Sequence, residues 1–506
     1  VTNVTLPNSL TDIGSWAFAK CSNLQGINIP NNVIIIGESA FSGCSSLTSI
    51  SIPNSVITIE KEAFLGCSSL TSIIIPKSVT NIEDGAFSRC SALTSLIVNA
   101  DNNHYDSRNN CNAIIQTSTN TLIYGCQTSI IPETVTNIGN GAFYACSSLK
   151  DITIPNSVKS IGENAFQSCS SLTSIIIPNS IARIENCVFK ECSSLNSVSL
   201  PNSVTSIGSK AFFGCSSLTF FDIPNGVISI EDRAFQQCIN LSSINIPSSV
   251  AKIGEVVFCG CPALESINVD SKNEFYDSRN NSNAIIETSS NTLIRGCKNT
   301  IIPNDTKCIH QHAFCGCNSL QSITIPNSVK QIGESAFFEC SSLTSITIPD
   351  GVKNIENNTF KCCSNLTSIT IPDSVTNIGK AAFQCCYNLA IINIPDSVTQ
   401  IEDGAFSSCS SLKSIGDKAF YKCTSLTSIT IPSKVSKIGK QAFYGCKNLK
   451  TITIKTTKLT NKNVGSKALK GISSKATIKV PKKKVSDYKK LLKKKGVSSK
   501  VTVKKN

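Results

Sequence analysis

One phenylalanine recurs at positions 18, 41, 64, 87, 143, 166, 189, 212, 235, 258, 314, 337, 360, 383, 406, 420 and 443. Thirteen of the sixteen intervals are 23 residues, two are 56 and one is 14. A 23-residue unit cannot bury its own apolar face, so successive units must stack and share one continuous core. The 506 residues alone would permit two to four ordinary domains. The period instead predicts a repeat array.

The unit reads L-T-S-I-x-I-P-x-S-V-x-x-I-[GE]-x-x-A-F-x-x-C-S-S, as in residues 47–69. Leu47, Ile50 and Ile52, with Ser and Thr between them, form a short β-branched segment. Pro53 ends it, because proline has no N–H to give a ladder. This predicts one strand per repeat. The second half, with Val56, Ile59, Ala63, Phe64 and Cys67, suits an extended piece followed by a tight helical turn. The expected fold class is a repeat β-solenoid whose seventeen coils would stack over a length on the order of 80 Å at the strand spacing.

A Cys follows each of these Phe residues by three positions, which places 17 of the 26 Cys in one register. A thiol repeated in every coil is read as a small buried hydrophobe in a ladder. A disulfide framework belongs to short secreted domains with little core, so free thiols and a reducing or anaerobic setting are expected. The slot four before Phe holds Gly in ten repeats and Glu in six, so positive φ is not obligatory there.

Each 56-residue interval is one repeat plus 33 residues, and the two insertions match 171 positions apart. Tyr105-Asp106-Ser107-Arg108-Asn109-Asn110 returns as Tyr276-Asp277-Ser278-Arg279-Asn280-Asn281, and both continue to Thr-Leu-Ile and Gly-Cys. The pattern predicts a β-hairpin behind an Asx-rich loop. The 14-residue interval, from Phe406 to Phe420, predicts a local defect in the stack. The expected organisation is a repeat array over 1–98, an insertion over 99–131, an array over 132–269, an insertion over 270–302, an array over 303–450 and a small Lys-rich C-terminal cap over 451–506.

Charge is uneven. Residues 447–506 hold twenty Lys and one acid, a net of +19, so the remainder carries about −5 of the chain's +14. No apolar run approaches the roughly 18 residues of a membrane helix. The chain opens partway through its pattern with no initiator Met, so a processed or truncated N-terminus is expected.

These residues carry a resemblance. The repeated Ile52-Pro53, Ile59 and Ala63-Phe64-x-x-Cys67 motif, the Tyr-Asp-Ser module and the Lys-rich end are similar to BspA-type leucine-rich-repeat proteins, a surface family of bacteria and some protists. The resemblance implies a curved solenoid displayed at the cell surface or outside the cell. It further implies adhesion to host matrix proteins or to other microbes, with host or microbial proteins or glycans as partners. It brings no fixed ligand site with it.

Read directly, the strand slots between Leu and Ile, such as Thr48, Ser49 and Ser51, offer an extended hydroxyl surface. Charge lies in variable slots beside Ala-Phe: Lys190 and Glu191, Asp232 and Arg233. These, with Tyr105, Arg108, Tyr276 and Arg279 of the insertions, are the expected binding residues for a large partner. The alternatives are a wall-associated scaffold tethered by its basic tail, whose partner would be an anionic wall polymer, and an accessory region of a longer enzyme. Nucleic acid is disfavoured because the tail has one aromatic, Tyr488, and no base-reading module.

No catalytic set or cofactor site is expected. The His104 of the first insertion is Phe275 in the second, and Ser recurs in every repeat. Acid pairs such as Glu60 and Glu62, or Glu83 and Asp84, read as solvated faces. Cys308, His310, His312 and Cys315 place soft and imidazole ligands close together. If 308–312 is extended, the first three share a face, but the spacing matches no established zinc motif. The Asp101 to Asn112 loop reads as Asx turns rather than a Ca²⁺ site, and Cys362 and Cys385, one coil apart, read as free thiols able to pair on oxidation.

Overall fold

The computed structural model describes all residues except 1, 394, 396, 399, 403, 404, 407, 410–413, 418, 423–425 and 432. It comprises two compact units, Val1–Phe258 and Cys259–Asn506, each a β-solenoid of parallel rungs. Most regular coils supply two short strands rather than one. The first is the expected S-I-x-I strand. Ser72–Ile75 pairs in parallel with Ser95–Val98, and Ser345–Thr347 with Ser368–Thr370, always 23 residues apart. Side chains alternate, so Ile73 and Ile75 are buried while Ser72 and Ile74 face out. The segment read as merely extended forms the second strand. Asp12–Ile13, Ile35–Ile36, Thr58–Ile59 and Asn81–Ile82 make one continuous parallel ladder. Between the two strands, the Pro slot closes a turn in which the Val56 amide donates to the Pro53 carbonyl at 3.1 Å.

The A-F-x-x-C segment is a third lateral ladder without strand geometry. Ser39, Phe41 and Gly43 donate their amides to Lys61, Ala63 and Leu65 of the next coil at 2.9, 2.7 and 2.7 Å. The alternate amides, Ala40, Ser42 and Cys44, turn back three residues within their own coil. This alternation requires a left-handed backbone two residues before and two after the Phe. Those slots are occupied by Trp16 (φ 63), Lys20 (φ 61), Ser39 (φ 53), Glu62 (φ 57) and Val256 (φ 51) as readily as by Gly43 (φ 75). Satisfying every buried amide across the stack offsets a local cost of about 1–2 kcal/mol for each left-handed L-residue.

Inside the coils the phenylalanines form a ring stack. Phe18, Phe41, Phe64 and Phe87 follow one another at 5.3, 5.3 and 5.5 Å between centroids, nearly parallel. The expected defect is visible where the interval shortens: Phe406 meets Phe420 edge-on at 6.1 Å and 88°. Most of the described ladder cysteines are buried, with Cys21 and Cys146 only half-buried, and several also donate. Cys44, Cys67, Cys192 and Cys340 point Sγ–H at the carbonyls of Phe18, Phe41, Phe166 and Phe314 in the preceding coil, at 3.1, 3.3, 3.0 and 3.2 Å. Cys423 of this register lies outside the described residues. The Ser of each P-x-S-V turn does likewise, as in Ser55 and Ser78 to the Val33 and Val56 carbonyls at 2.7 Å each.

Each insertion is a small antiparallel meander that rejoins the solenoid. Tyr105–Asp106, Ala113–Gln116 and Thr121–Gly125 pair in that order, and Thr121 and Leu122 then take the rung next to Asn137–Ile138. Tyr276–Asp277, Ala284–Glu287 and Thr292–Gly296 repeat the arrangement in the second unit. At the C-terminal end, Thr477–Val480 and Thr502–Lys505 extend the sheet of Ser428–Ile431 and Thr451–Ile454. The helix Val485–Lys494 covers it with Tyr488, Leu491 and Leu492 buried. The Tyr488 hydroxyl accepts from the Leu459 amide and donates to the Thr456 carbonyl, at 3.1 and 2.9 Å. No helix among the described residues is long and apolar enough to cross a membrane.

Candidate recognition surface

Thr48, Ser49 and Ser51 are exposed along an S-I-x-I segment that forms only an isolated bridge, at Ser51. The Thr slot is not wholly free, however. Thr48 Oγ1 bonds the Gln25 carbonyl at 3.5 Å, and Thr71 and Thr94 repeat this on Thr48 and Thr71 at 3.3 and 3.1 Å. What remains free on this face is the residue between the two inward Ile side chains. In unit 1 that slot holds Ser51, then Ile74 and Ile97 opposite each other on adjacent rungs, and later Ile176. Ile74, Ile97 and Ile176 are 59, 44 and 73% exposed. In unit 2 the same slot is Thr347, Thr370, Thr430 and Thr453. The sequence reading missed these isoleucines, although strand alternation applied to S-I-I-I would have pointed them outward.

The insertion residues are not available to a partner in the expected way. Tyr105 and Tyr276 are only 4 and 7% exposed. Tyr105 reaches back one coil, where its hydroxyl accepts from the Ile82 amide at 3.0 Å, and burial raises its pKa. The bends before them are built by Asn102 and Asn273, whose side-chain oxygens cap the Tyr105 and Tyr276 amides. Arg108 is held by Asp106 at 2.5 Å and by Asn120 at 3.0 Å. Arg279 is held by Asp277 and Asp305 at 2.7 Å each and by Asn291 at 2.8 Å. Those carboxylates push both guanidinium pKa values further up. The Tyr-Asp-Ser-Arg motif is therefore an internal clamp, because a buried phenol and a neutralised guanidinium leave little for a ligand.

The charged slots divide. Lys190 and Glu191 pair at 3.6 Å, Glu191 also accepts from the Ser168 hydroxyl at 3.0 Å, and Lys190 lies 5.8 Å from the Phe213 ring centre. Arg233 is exposed with φ 60, but Asp232 Oδ1 accepts the Glu255 amide of the next coil at 2.8 Å. Asn140, Asn186 and Asn357 serve the following coils in the same way. Where the preceding coil lacks an Asx, Glu takes over from the other side: Glu60 and Glu83 accept the Glu38 and Lys61 amides at 2.8 and 3.0 Å. This also accounts for the variable Gly/Glu slot. A Cβ on Gly162, Gly254 or Gly379 would collide with Asn140, Asp232 or Asn357. These acids are backbone caps rather than merely solvated groups.

The Cys/His cluster is not assembled as a metal site. Cys308–Ile309 is a strand, but His312 has φ 58, which breaks the alternation that would put three ligands on one face. His310 Nδ1 lies 3.1 Å from the Gln311 carbonyl, and Cys315 is disulfide-bonded to Cys259. No group of three His, Cys, Asp or Glu among the described residues is arranged to hold a metal. The disulfide was not anticipated. Its counterparts 171 residues earlier are Ser88 and Tyr144, beside which Arg89 donates to the Tyr144 hydroxyl at 2.8 Å. Arg295, only 4% exposed, replaces Tyr124 and donates to the Cys315 and His312 carbonyls at 3.2 and 3.1 Å. Cys362 and Cys385 are free and half-buried.

The BspA type leucine rich repeat region, in six copies, matches residues 1–114, 120–220, 186–295, 285–413 and 413–502. The chain belongs to the BspA-type leucine-rich-repeat family. The BspA-type chain is also similar to a leucine rich cell surface protein from Faecalibacterium prausnitzii A2-165, with 27% identity, 81 and 86% of the two chains covered and a TM-score of 0.46. A leucine-rich repeat protein from Bacteroides ovatus ATCC 8483 shows 29% identity, 78 and 87% coverage and a TM-score of 0.40. One from Eubacterium ventriosum ATCC 27560 shows 20% identity, 76 and 82% coverage and a TM-score of 0.30. Family membership rests on the matched repeats, not on these superpositions. No curated protein matches the BspA-type chain. Membership of a leucine-rich-repeat family carries a protein-interaction role.

Proposed function

We propose that this BspA-type chain is a non-enzymatic adhesion protein of the cell surface, and that the outer strand face of unit 1 binds a protein partner from a host matrix or another microbe. The observation that supports this is the aligned pair Ile74 and Ile97. Both are exposed, they lie in register on adjacent rungs, and the fold does not need them, since unit 2 fills the same slot with Thr. Exposed apolar groups framed by Ser and Thr are the composition of an interaction patch. Thr48, Ser49 and Ser51 remain candidates at its margins, and Arg233, exposed elsewhere in unit 1, remains a separate candidate. Glycan recognition by the same face is the second reading, in which Phe220, 49% exposed on the outer side of a later strand of unit 1, would be the sugar-stacking ring.

The test is binding of the wild-type chain and of the Ile74→Thr/Ile97→Thr variant to immobilised matrix proteins and bacterial cells at high salt. Loss of binding with an unchanged circular dichroism spectrum is the expected result. Equal binding by the two proteins would remove this face from the account.

A further inference from the structure

We propose that the basic end of unit 2 is a second binding surface, for a linear anionic polysaccharide. This goes beyond the adhesion reading and does not depend on it.

The geometry lies in one column of the last sheet. Thr430, Thr453, Lys479 and Lys504 stand opposite one another on consecutive parallel strands, beside a column of Ser428, Thr451, Thr477 and Thr502. Neighbouring strands are about 4.8 Å apart, so Lys479 and Lys504 are stacked like charges, an arrangement that destabilises a sheet. The two preceding rungs fill the slot with Thr, so the fold does not require Lys. Residues 447–506 contain twenty Lys, no Arg and one acid, Asp487, which pairs with Lys484 at 3.0 Å. No ion pair reaches Lys479 or Lys504 among the described residues. A local rule broken by the one like-charged pair of this column, with no compensating ion pair among the described residues, points to an external anion.

The chemistry of the column narrows the partner. Guanidinium forks, which favour bidentate phosphate recognition, are absent from 447–506. The segment's one aromatic, Tyr488, is 1% exposed, so no ring is free to stack on a base. What the column offers is two adjacent ammonium groups, Lys479 half-buried and Lys504 exposed, edged by threonine hydroxyls, which matches the anionic groups and hydroxyls of a charged sugar chain. The two charges stand one strand spacing apart, so a single anionic chain can touch both.

The full chain should bind dextran sulfate and not neutral dextran, with affinity falling as salt rises. Lys479→Thr with Lys504→Thr restores the residue of the preceding rungs; Lys479→Gln with Lys504→Gln removes the charge but keeps most of the side-chain length. Both double variants should bind dextran sulfate roughly fivefold to tenfold more weakly at low salt, and the salt slope should fall by about two. Lys307→Thr with Lys330→Thr, a like change of charge elsewhere in unit 2, should leave the affinity unchanged. Wild-type binding by both double variants would overturn the proposal, as would binding of duplex DNA at least as tight as that of dextran sulfate.

Discussion

Replacing Gly125 with alanine tests how the first insertion is seated on the repeat array. Gly125 donates its amide to the Ala142 carbonyl at 2.8 Å, the bond that a Phe makes in a regular coil, so it occupies a phenylalanine slot at the end of a ring stack. Its backbone is not left-handed; the constraint is space. An added Cβ would lie 2.5 and 2.6 Å from Cζ and Cδ1 of Phe143 and closer still to Cε1. Phe143 is fully buried and backed by Phe166 at 5.1 Å and 7°, so the ring has nowhere to retreat. Restoring a contact of about 3.5 Å to Cε1, the nearest of the three, demands a shift of about 1.5 Å in a close-packed stack, which places the cost at the upper end of overpacking, about 3 kcal/mol. The loss of unfolded-chain freedom on Gly→Ala returns about 0.4–1 kcal/mol, leaving a net destabilisation of about 2 kcal/mol. Gly14→Ala, in the same unit and with nothing within 4 Å of the added Cβ, should be neutral or slightly stabilising. The assay is urea denaturation of both variants. In a Phe143→Ala background, Gly125→Ala should become nearly neutral, because the new methyl then enters the space the ring vacates. Equal midpoints for Gly125→Ala and Gly14→Ala would refute the reasoning.

The remaining predictions concern covalent, ionic and backbone features. Reducing the Cys259–Cys315 bond, which spans 56 residues, should destabilise unit 2 by up to about 4 kcal/mol on the chain-entropy estimate, read as a lower melting temperature in dithiothreitol that Cys259→Ser reproduces without reductant. Burial pushes the Cys192 and Cys409 thiols from the ordinary 9.0 up to about 12. The fold therefore holds their protons where the unfolded chain releases them, so stability is intact below pH 9 and falls by about 1.4 kcal/mol per thiol per pH unit between 9 and 12. Denaturant midpoints across that range, compared with a Cys192→Ala/Cys409→Ala variant, measure it. Asn357→Ala should cost about 1 kcal/mol in urea denaturation, because the Lys380 amide loses a partner at 2.8 Å. Val256→Gly should stabilise unit 1 by roughly 1 kcal/mol, since a β-branched residue at φ 51 is relieved of strain; an unchanged melting temperature would mean that the lateral hydrogen bonds do not impose that conformation.

The period, the Phe and Cys registers, the strand ended by proline and the hairpin nature of the insertions were legible because each is a local pattern of apolar residues, turn formers or β-branched side chains. The left-handed pair flanking each Phe was not. Its cause lies in the next coil, whose carbonyls dictate where the Ser39, Phe41 and Gly43 amides must point, and occupants as different as Trp16, Glu62 and Val256 leave no glycine signature. Burial of Tyr105 was hidden for the same reason. An exposed-looking Asx-rich loop supplies the polar context, while the hydroxyl's partner, the Ile82 amide, is 23 residues away. Cys259 and Cys315 read as two unrelated thiols until the insertion folds out of line and leaves their coils adjacent.

This non-local control also explains why such an array can carry a recognition surface at all. Buried Phe, Cys, Leu and Ile columns, the Pro turn and hydroxyls such as Ser55 and Ser78, which cap carbonyls of the preceding coil, fix the backbone of every coil. The slot between the inward Ile residues contributes to none of these, and neither does the slot just after Phe, which holds Lys190, Phe213 and Gln236 in successive coils. Side chains there can change without altering the hydrogen-bond ladder. An isoleucine pair in one unit and a lysine column in the other are then substitutions whose consequences fall mainly on what the surface touches. By the same logic, Ile74→Thr/Ile97→Thr and Lys479→Thr/Lys504→Thr should leave the melting temperature within about 2 °C of wild type. A large loss of stability in either would mean that the slot belongs to the fold there, and the binding proposal that rests on that pair would lose its footing.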